Sequence, residues 1–207
     1  MQSAILDWQG YVPSTYQHTD FNPASRVVDI GCGQGIQLRE LHRRGCRAVG
    51  VEVSATQAVA RITADGIPVL VARGESLPFR DAAFDAVVSK GVLMFTREDD
   101  AIREIARLVR VGGEVDLMVN GFGYYLRYLL CGPSLKLRFY GLRTLLNTWL
   151  LVGAGRRLPG FLGDTAYDSK RRMLRLCLSH GLAIVRHTKS PTFLGLPVFV
   201  YLRLQRV

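Results

Sequence analysis

The chain has 207 residues, 48% of them hydrophobic and 21% charged, with 27 Lys and Arg against 17 Asp and Glu. That length suffices to bury a core within a single domain spanning 1–207, and the apolar content excludes a disordered chain. The positive charge is uneven: thirteen basic and fifteen acidic residues lie from Met1 to Val119, but fourteen basic and two acidic from Asn120 to Val207. A basic second half suits nucleic acid, an anionic membrane surface or an acidic small molecule.

The N-terminal sequence MQSAILDWQGYVPSTYQ has no basic stretch followed by an apolar one, so no secretory signal is expected. Leu142 to Ala154 is the most apolar part of the second half. It is interrupted by Arg143 and Asn147 and falls short of the roughly 20 residues a membrane span needs. Cys32, Cys46, Cys131 and Cys177 form neither a CxxC pair nor a metal-ligand spacing, which predicts reduced thiols, no metal and a cytoplasmic protein.

In chain order, Arg26 to Ile30 reads as a strand that runs into Gly31-Cys32-Gly33-Gln34-Gly35, and Ile36, Leu38 and Leu41 then return at helical spacing until Gly45. Ala48 to Val53 is a second strand, Ser54 caps a helix from Ala55 to Ala64, and Ile67 to Ala72 is a third strand. Phe84 to Ser89 is the fourth. The helix Arg97 to Arg110 follows, closed by Gly112-Gly113 ahead of a fifth strand, Glu114 to Val119. This alternation predicts an α/β fold with a parallel sheet covered on both faces. At the end, a basic helix, Ser169 to His180, precedes strands Leu182 to Thr188 and Val198 to Leu204. With little chain between them, these two must pair antiparallel.

Asn120 to Asp168 fits no strand-helix unit and has no acid before Asp164. It reads as an inserted subdomain with helices around Tyr124 to Leu130, Ser134 to Tyr140 and Leu142 to Val152.

A Gly31-x-Gly33-x-Gly35 turn between strand and helix lets the backbone approach a ligand and offers free N–H groups at the helix start. Glu52, at the end of the second strand, is placed to accept hydrogen bonds from ribose hydroxyls. Asp29 sits directly before the turn, where a carboxylate would repel a pyrophosphate and suits a cofactor with a cationic end.

The run Val28-Asp29-Ile30-Gly31-Cys32-Gly33-Gln34-Gly35 resembles the first motif of class I S-adenosylmethionine-dependent methyltransferases, of the type 11-like kind. Gly74-Glu75-Ser76-Leu77-Pro78-Phe79 with Phe84-Asp85-Ala86-Val87-Val88-Ser89, and Arg103 to Leu108 with Gly112-Gly113, are similar to later motifs of that family in the same order. The resemblance implies a doubly wound, mostly parallel, seven-stranded Rossmann-like sheet with an antiparallel last strand and a helical insertion after strand 5. It also implies S-adenosyl-L-methionine as cofactor, held by Asp29, Gly31, Cys32, Gly33, Gly35, Glu52, Val53, Gly74, Glu75, Ser76 and Ser89.

Two positions depart from the family pattern. Arg73 falls where relatives carry an Asp or Asn toward the adenine, which leaves adenine recognition to backbone near Gly74 and to Glu75 or Ser76, with Arg73 turned to solvent as the other solution. Met94 replaces a frequent histidine. A methyl donor that is already activated needs chiefly alignment with its acceptor, so no universal base is required. The base candidates are Tyr11, Tyr16 and His18 near the N-terminus and Tyr124, Tyr125 and Tyr128 in the insertion. Lys90, Tyr124, Tyr125, Arg127 and Tyr128 are candidates for binding the acceptor.

The insertion reads as a lid over a small anionic or amphipathic acceptor, as a peripheral membrane surface for a quinone or lipid precursor, or as a homodimer contact. Nucleic acid is disfavoured, because its Arg residues are interleaved with Leu instead of forming a solvated basic tract. A non-catalytic protein that binds the same cofactor is the rival from another class.

Overall fold

The computed structural model describes residues 21–56, 58, 66–156, 158, 169–187 and 191–207, with His187 described by its backbone alone. The first strand, β1 (Arg26–Ile30), is buried from Val27 onward, as its β-branched run requires at the centre of a sheet. It is followed by α1 (Ile36–Arg43), β2 (Arg47–Glu52), β3 (Val69–Val71), β4 (Phe84–Lys90) and a 3₁₀ turn at Leu93–Phe95. Helix α2 (Glu98–Leu108) has Glu98, Asp99 and Asp100 in its first turn, where carboxylates meet the positive end of the helix dipole. Strand β5 (Val109–Asn120), helices α3 (Phe122–Cys131), α4 (Leu135–Ala154) and α5 (Lys170–Ser179), and strands β6 (Leu182–His187), β7 (Thr192–Phe193), β8 (Leu196–Pro197) and β9 (Phe199–Arg206) complete the order of described elements.

Seven strands form one sheet in the order β3-β2-β1-β4-β5-β9-β6. Strands β1 to β5 run parallel, and β9 lies antiparallel between β5 and β6. This is the doubly wound, seven-stranded architecture that the motifs implied. The strand order reverses between β1 and β4, so the crevice for a ligand opens at the carboxyl ends of those strands. One face of the sheet packs Val28, Ile30 and Val87 against Ile102, Ile105, Met173 and Cys177. The other packs Val27, Ala48 and Val88 against Leu38 and Leu41 of α1.

Four details differ from the sequence reading. Strand β5 starts at Val109, straight from α2, and runs through Gly112-Gly113 instead of beginning after them. Its register with β4 shifts between Phe84 and Ala86, and a Cβ on Gly113 would stand 2.8 Å from the Asp85 carbonyl oxygen, so the glycine admits a close strand approach. Secondly, the two helices expected on either side of Gly141 are one continuous helix, α4. Gly141 lies inside it because α3 presses there: a Cβ would meet the Tyr125 carbonyl oxygen at 2.6 Å and the Leu129 nitrogen at 2.8 Å. Thirdly, the short β7–β8 hairpin, turning through Leu194 and Gly195 at positive φ, occupies the gap between β6 and β9. Finally, β3 is shorter than expected. Of the helix expected at 55–64, residues 55, 56 and 58 are helical and the rest lies outside the described residues.

Candidate cofactor and acceptor site

The carboxyl ends of β1, β2, β3 and β4 surround a cavity of about 330 Å³ lined by Ile30, Gly31, Val51, Glu52, Val53, Ala72, Arg73, Gly74, Glu75, Gly91, Val92, Phe95 and Thr96. The glycine turn reaches it through Gly31. Gly31, Gly33 and Gly35 all adopt positive φ (74°, 48° and 69°), which side chains rarely tolerate. Gly31 and Cys32 donate to the Val51 carbonyl oxygen at 2.8 and 3.0 Å, which fastens the turn to β2. A Cβ on Gly31 would overlap the Val92 side chain, so that glycine keeps the turn and the loop after β4 in contact.

Glu52 closes one side. Its Oε2 accepts from the Gly33 N–H at 3.0 Å and its Oε1 from the Ser54 N–H at 3.1 Å, which fixes the carboxylate at the cavity wall with lone pairs left over. Opposite, the Glu75 Oε1 accepts from the Arg97 N–H at 3.1 Å. Arg73 turns to solvent with its side chain 71% exposed, and its guanidinium stands 3.7 Å from Glu75. Of the two solutions posed for this position, the structure adopts the outward one.

Beneath the turn, Asp29 is buried and its Oδ2 has no hydrogen-bond partner. Burial pushes this carboxyl up to about 7, against the Lys90 ammonium, which lowers it, while the Glu52 carboxylate raises it further. Lys90 reaches from the end of β4 to the Gln37 Oε1 at 3.1 Å and the Asp116 Oδ2 at 3.3 Å. Its own pKa is lowered by burial and supported by Asp116. The side chain therefore belongs to an enclosed charge network between β4, β5 and α1.

On the far side of β4 and β5, α3 begins the insertion. Gly121 donates to the Val198 carbonyl oxygen at 2.8 Å, and a Cβ on Gly123 would stand 2.5 Å from the Leu196 carbonyl oxygen, so the first turn of α3 sits directly on the β7–β8 hairpin. Tyr124 packs edge-on against Tyr125 and Tyr128, with ring centroids 5.2 and 4.8 Å away, and its hydroxyl donates to that of Tyr128 at 3.4 Å. Tyr125 and Tyr128 are both buried and also pack on Tyr140 of α4. The Tyr125 hydroxyl and the Asn120 amide both donate to the Met94 sulfur, at 3.5 and 3.3 Å. Burial raises the Tyr124 phenol well above its usual range, so in this packing it holds its proton and donates.

The cavity gathers Gly31, Glu52, Val53, Gly74 and Glu75 from the residues expected to hold the cofactor. Asp29, Cys32, Gly33, Gly35, Ser76 and Ser89 are not among its lining residues. Cys32 fills space against Gly50, and Ser89 is fully buried on β4. Arg127 lies half-buried on α3. Tyr11, Tyr16, His18, Asp164 and Asp168 lie outside the described residues. Sequence reading missed Val92, Phe95 and Thr96. Their signal is slight: a glycine at the end of β4 followed by apolar residues.

A seven-stranded sheet of this order, with a glycine turn after β1 and an acid at the tip of β2, defines a nucleoside-cofactor fold of the methyltransferase kind. Residues 28–116 match the family model described as a methyltransferase domain. The chain is 37% identical over 109 residues to the probable tRNA methyltransferase 9B of Mus musculus, covering 48% of this chain and 23% of that protein. It is 34% identical over 103 residues to the demethylmenaquinone methyltransferase of Corynebacterium kroppenstedtii, covering 49% of this chain and 44% of that protein. The chain thus spans less than half the length of these curated relatives. The solved S-adenosylmethionine-dependent methyltransferase of Mesorhizobium loti superposes with a TM-score of 0.69 at 19% identity, over 97% of this chain and all of that one. Residues 28–116 are thus similar to a methyltransferase domain, and the fold is that of solved S-adenosylmethionine-dependent methyltransferases, whose cofactor is S-adenosylmethionine.

The residues fit that cofactor: Gly31 brings bare backbone to the cavity, Glu52 places a carboxylate at the end of β2, and the buried Asp29 Oδ2, without a hydrogen-bond partner, is suited to a cation.

Proposed function

We propose that this chain transfers a methyl group from S-adenosylmethionine to a small anionic or amphipathic acceptor bound beneath the 120–168 insertion. The observation that carries the reading is the position of α3. It rises from the end of β5 beside the loop after β4, which lines the cofactor cavity, and brings the Tyr124, Tyr125 and Tyr128 cluster to the same end of the sheet. Bound there, the cofactor supplies an electrophilic methyl on a sulfonium centre. The chain's own residues hold the nucleoside end and exclude water. Glu52 would accept from the ribose hydroxyls, the backbone from Ala72 to Glu75 would meet the adenine, and Asp29 with the glycine turn would face the cationic end. Alignment of this kind contributes about 7 to 11 kcal/mol in favourable cases. With its proton held by burial and donated to Tyr128, Tyr124 does not serve as a base.

The domain match ends at residue 116, before α3, so the acceptor side lies outside the part that the family model covers. A quinone-type acceptor, as named for the Corynebacterium relative, agrees with an aromatic and apolar insertion; a tRNA acceptor, as named for the mouse relative, would need a solvated basic tract. Titration calorimetry with S-adenosylhomocysteine tests the cofactor half. Binding in the micromolar range that weakens at least tenfold in Glu52→Ala supports it, and the absence of heat at millimolar ligand refutes it. Methyl release with candidate acceptors then separates a transferase from a protein that only holds the cofactor.

A further inference from the structure

Helix α4 is built inside out. Its enclosed residues are Gly141, Arg143, Thr144 and Asn147, whereas Leu135, Phe139, Leu142, Leu146 and Trp149 are exposed, Leu135 by 83% and Trp149 by 72%. The exposed positions recur at intervals of four, three, four and three, which places them in one stripe along the helix, about 21 Å long at 1.5 Å per residue. Each enclosed polar side chain has a local partner, which is how the inversion is tolerated. Thr144 donates to the Tyr140 carbonyl oxygen at 2.9 Å, Asn147 accepts from the Leu158 N–H at 2.9 Å, and the Arg143 guanidinium lies 5.2 Å from the Tyr140 ring centre. At the tip of the hairpin Leu130 of α3 is also exposed.

We propose that the outward face of α4 docks on an anionic lipid surface. Charge and dimensions together select this occupant. Lys136, Arg138 and Arg156 are exposed around the stripe, and the chain carries no carboxylate from Asn120 to Gly163. An apolar stripe with a tryptophan, in a segment whose charged residues are all cations, matches the headgroup boundary of a membrane that carries negative charge. No helix among the described residues is long and apolar enough to cross a membrane, so the helix lies in the surface plane. A second copy of the chain fits less well, because a two-fold contact would set these cations against their own duplicates without a carboxylate from the segment to pair them.

The docking goes beyond methyl transfer and does not depend on it. One consequence does rest on the proposed function: α3, on the inner side of the same hairpin, would then receive an amphipathic acceptor directly from the lipid phase.

The test floats the full chain with vesicles of phosphatidylcholine alone and of phosphatidylcholine with about one third phosphatidylglycerol, without cofactor. Co-flotation with the anionic vesicles alone, release at high salt, and a blue shift of Trp149 emission in a Trp8→Phe background are expected. Lys136→Glu and Arg156→Glu each lower the vesicle partition coefficient about fivefold or more. Leu146→Glu abolishes association while circular dichroism and S-adenosylhomocysteine binding stay unchanged, which separates loss of the surface from loss of the fold or of the cofactor site. A chain that ignores anionic vesicles overturns the proposal. So does equal binding to neutral vesicles, or a stable dimer in light scattering that Leu146→Glu converts to monomer, since a second copy would then be the occupant.

Discussion

Around the glycine turn, the charged side chains Glu52, Arg73 and Glu75 line a cavity and Val27, Val28 and Val87 are buried in the sheet; in the α3–α4 hairpin, Arg143, Thr144 and Asn147 are enclosed and Leu135, Phe139, Leu142, Leu146 and Trp149 look outward. The first region obeys the usual division because its ligand approaches through water. The second reverses it, and the reversal is tolerated because each enclosed polar side chain named above finds a partner close by. On the proposed docking, the hairpin's outer surface is shaped by a contact other than water, whereas its inner surface is shaped by packing on the domain.

The comparison breaks most sharply at the two glycines that set close approaches. Gly31→Val puts a branched side chain at φ 74° and into Val92; it should abolish measurable S-adenosylhomocysteine binding in calorimetry and lower stability in urea unfolding by about 3 kcal/mol. Gly141→Leu forces α3 and α4 apart and should cost about 1 to 3 kcal/mol by overpacking, yet leave cofactor affinity within about twofold, since the cavity has no residue from either helix.

Asp29 gives a prediction of intermediate size, with a sign fixed by its environment. Its carboxyl is raised from 3.8 to about 7 in the fold, so the unfolded chain gives up the proton first. Stability therefore falls as pH rises from about 4 to about 7. Asp29→Asn removes that slope: its stability relative to the native chain should grow through this window by on the order of a few kcal/mol and then stay level. A cation bound beside Asp29 favours the ionised form, so affinity for S-adenosylmethionine should rise with pH up to about 7, and calorimetry in buffers of different ionisation enthalpy should detect the released proton.

The smallest effect is the most discriminating. Leu146→Gln, on the exposed stripe, should change stability by no more than about 0.5 kcal/mol. Val88→Gln, on the fully buried β4, should cost several times more. Equal losses at the two sites would show that the stripe is covered within the chain.

The cofactor half was readable because local signals agree there. Three glycines in five residues, Asp29 before them and Glu52 after the next strand all serve one turn, and strand and helix periods around them are clean. The hairpin was harder. In α4 the apolar stripe and the enclosed polar stripe offset each other, so the segment looked apolar without a direction, and Gly141 looked like a break when it is a contact. The start of β5 was hidden for a related reason: Gly112-Gly113 has the composition of a turn, but the structure uses it for the narrow approach of β5 to Asp85. The pairing of Lys90 with Asp116 depends on β4 lying beside β5 with Val88 opposite Asp116, a register that no local pattern encodes. The β7–β8 hairpin, with strands of two residues each, is too short to show a period.

The seat of α3 on that hairpin limits how the insertion can move. Gly121 is tied by its N–H to Val198, and Gly123 lies against the Leu196 carbonyl, so the base of the insertion is clamped between β5 and the strands that finish the sheet. On the proposed function, an opening that admits an acceptor would leave this clamp in place and pivot further along, with the α3–α4 corner at Gly132 as the nearest break. The terminal β-structure then acts as a hinge plate: changes at Leu196 or Pro197, remote from the cofactor, would be felt as changes in acceptor access.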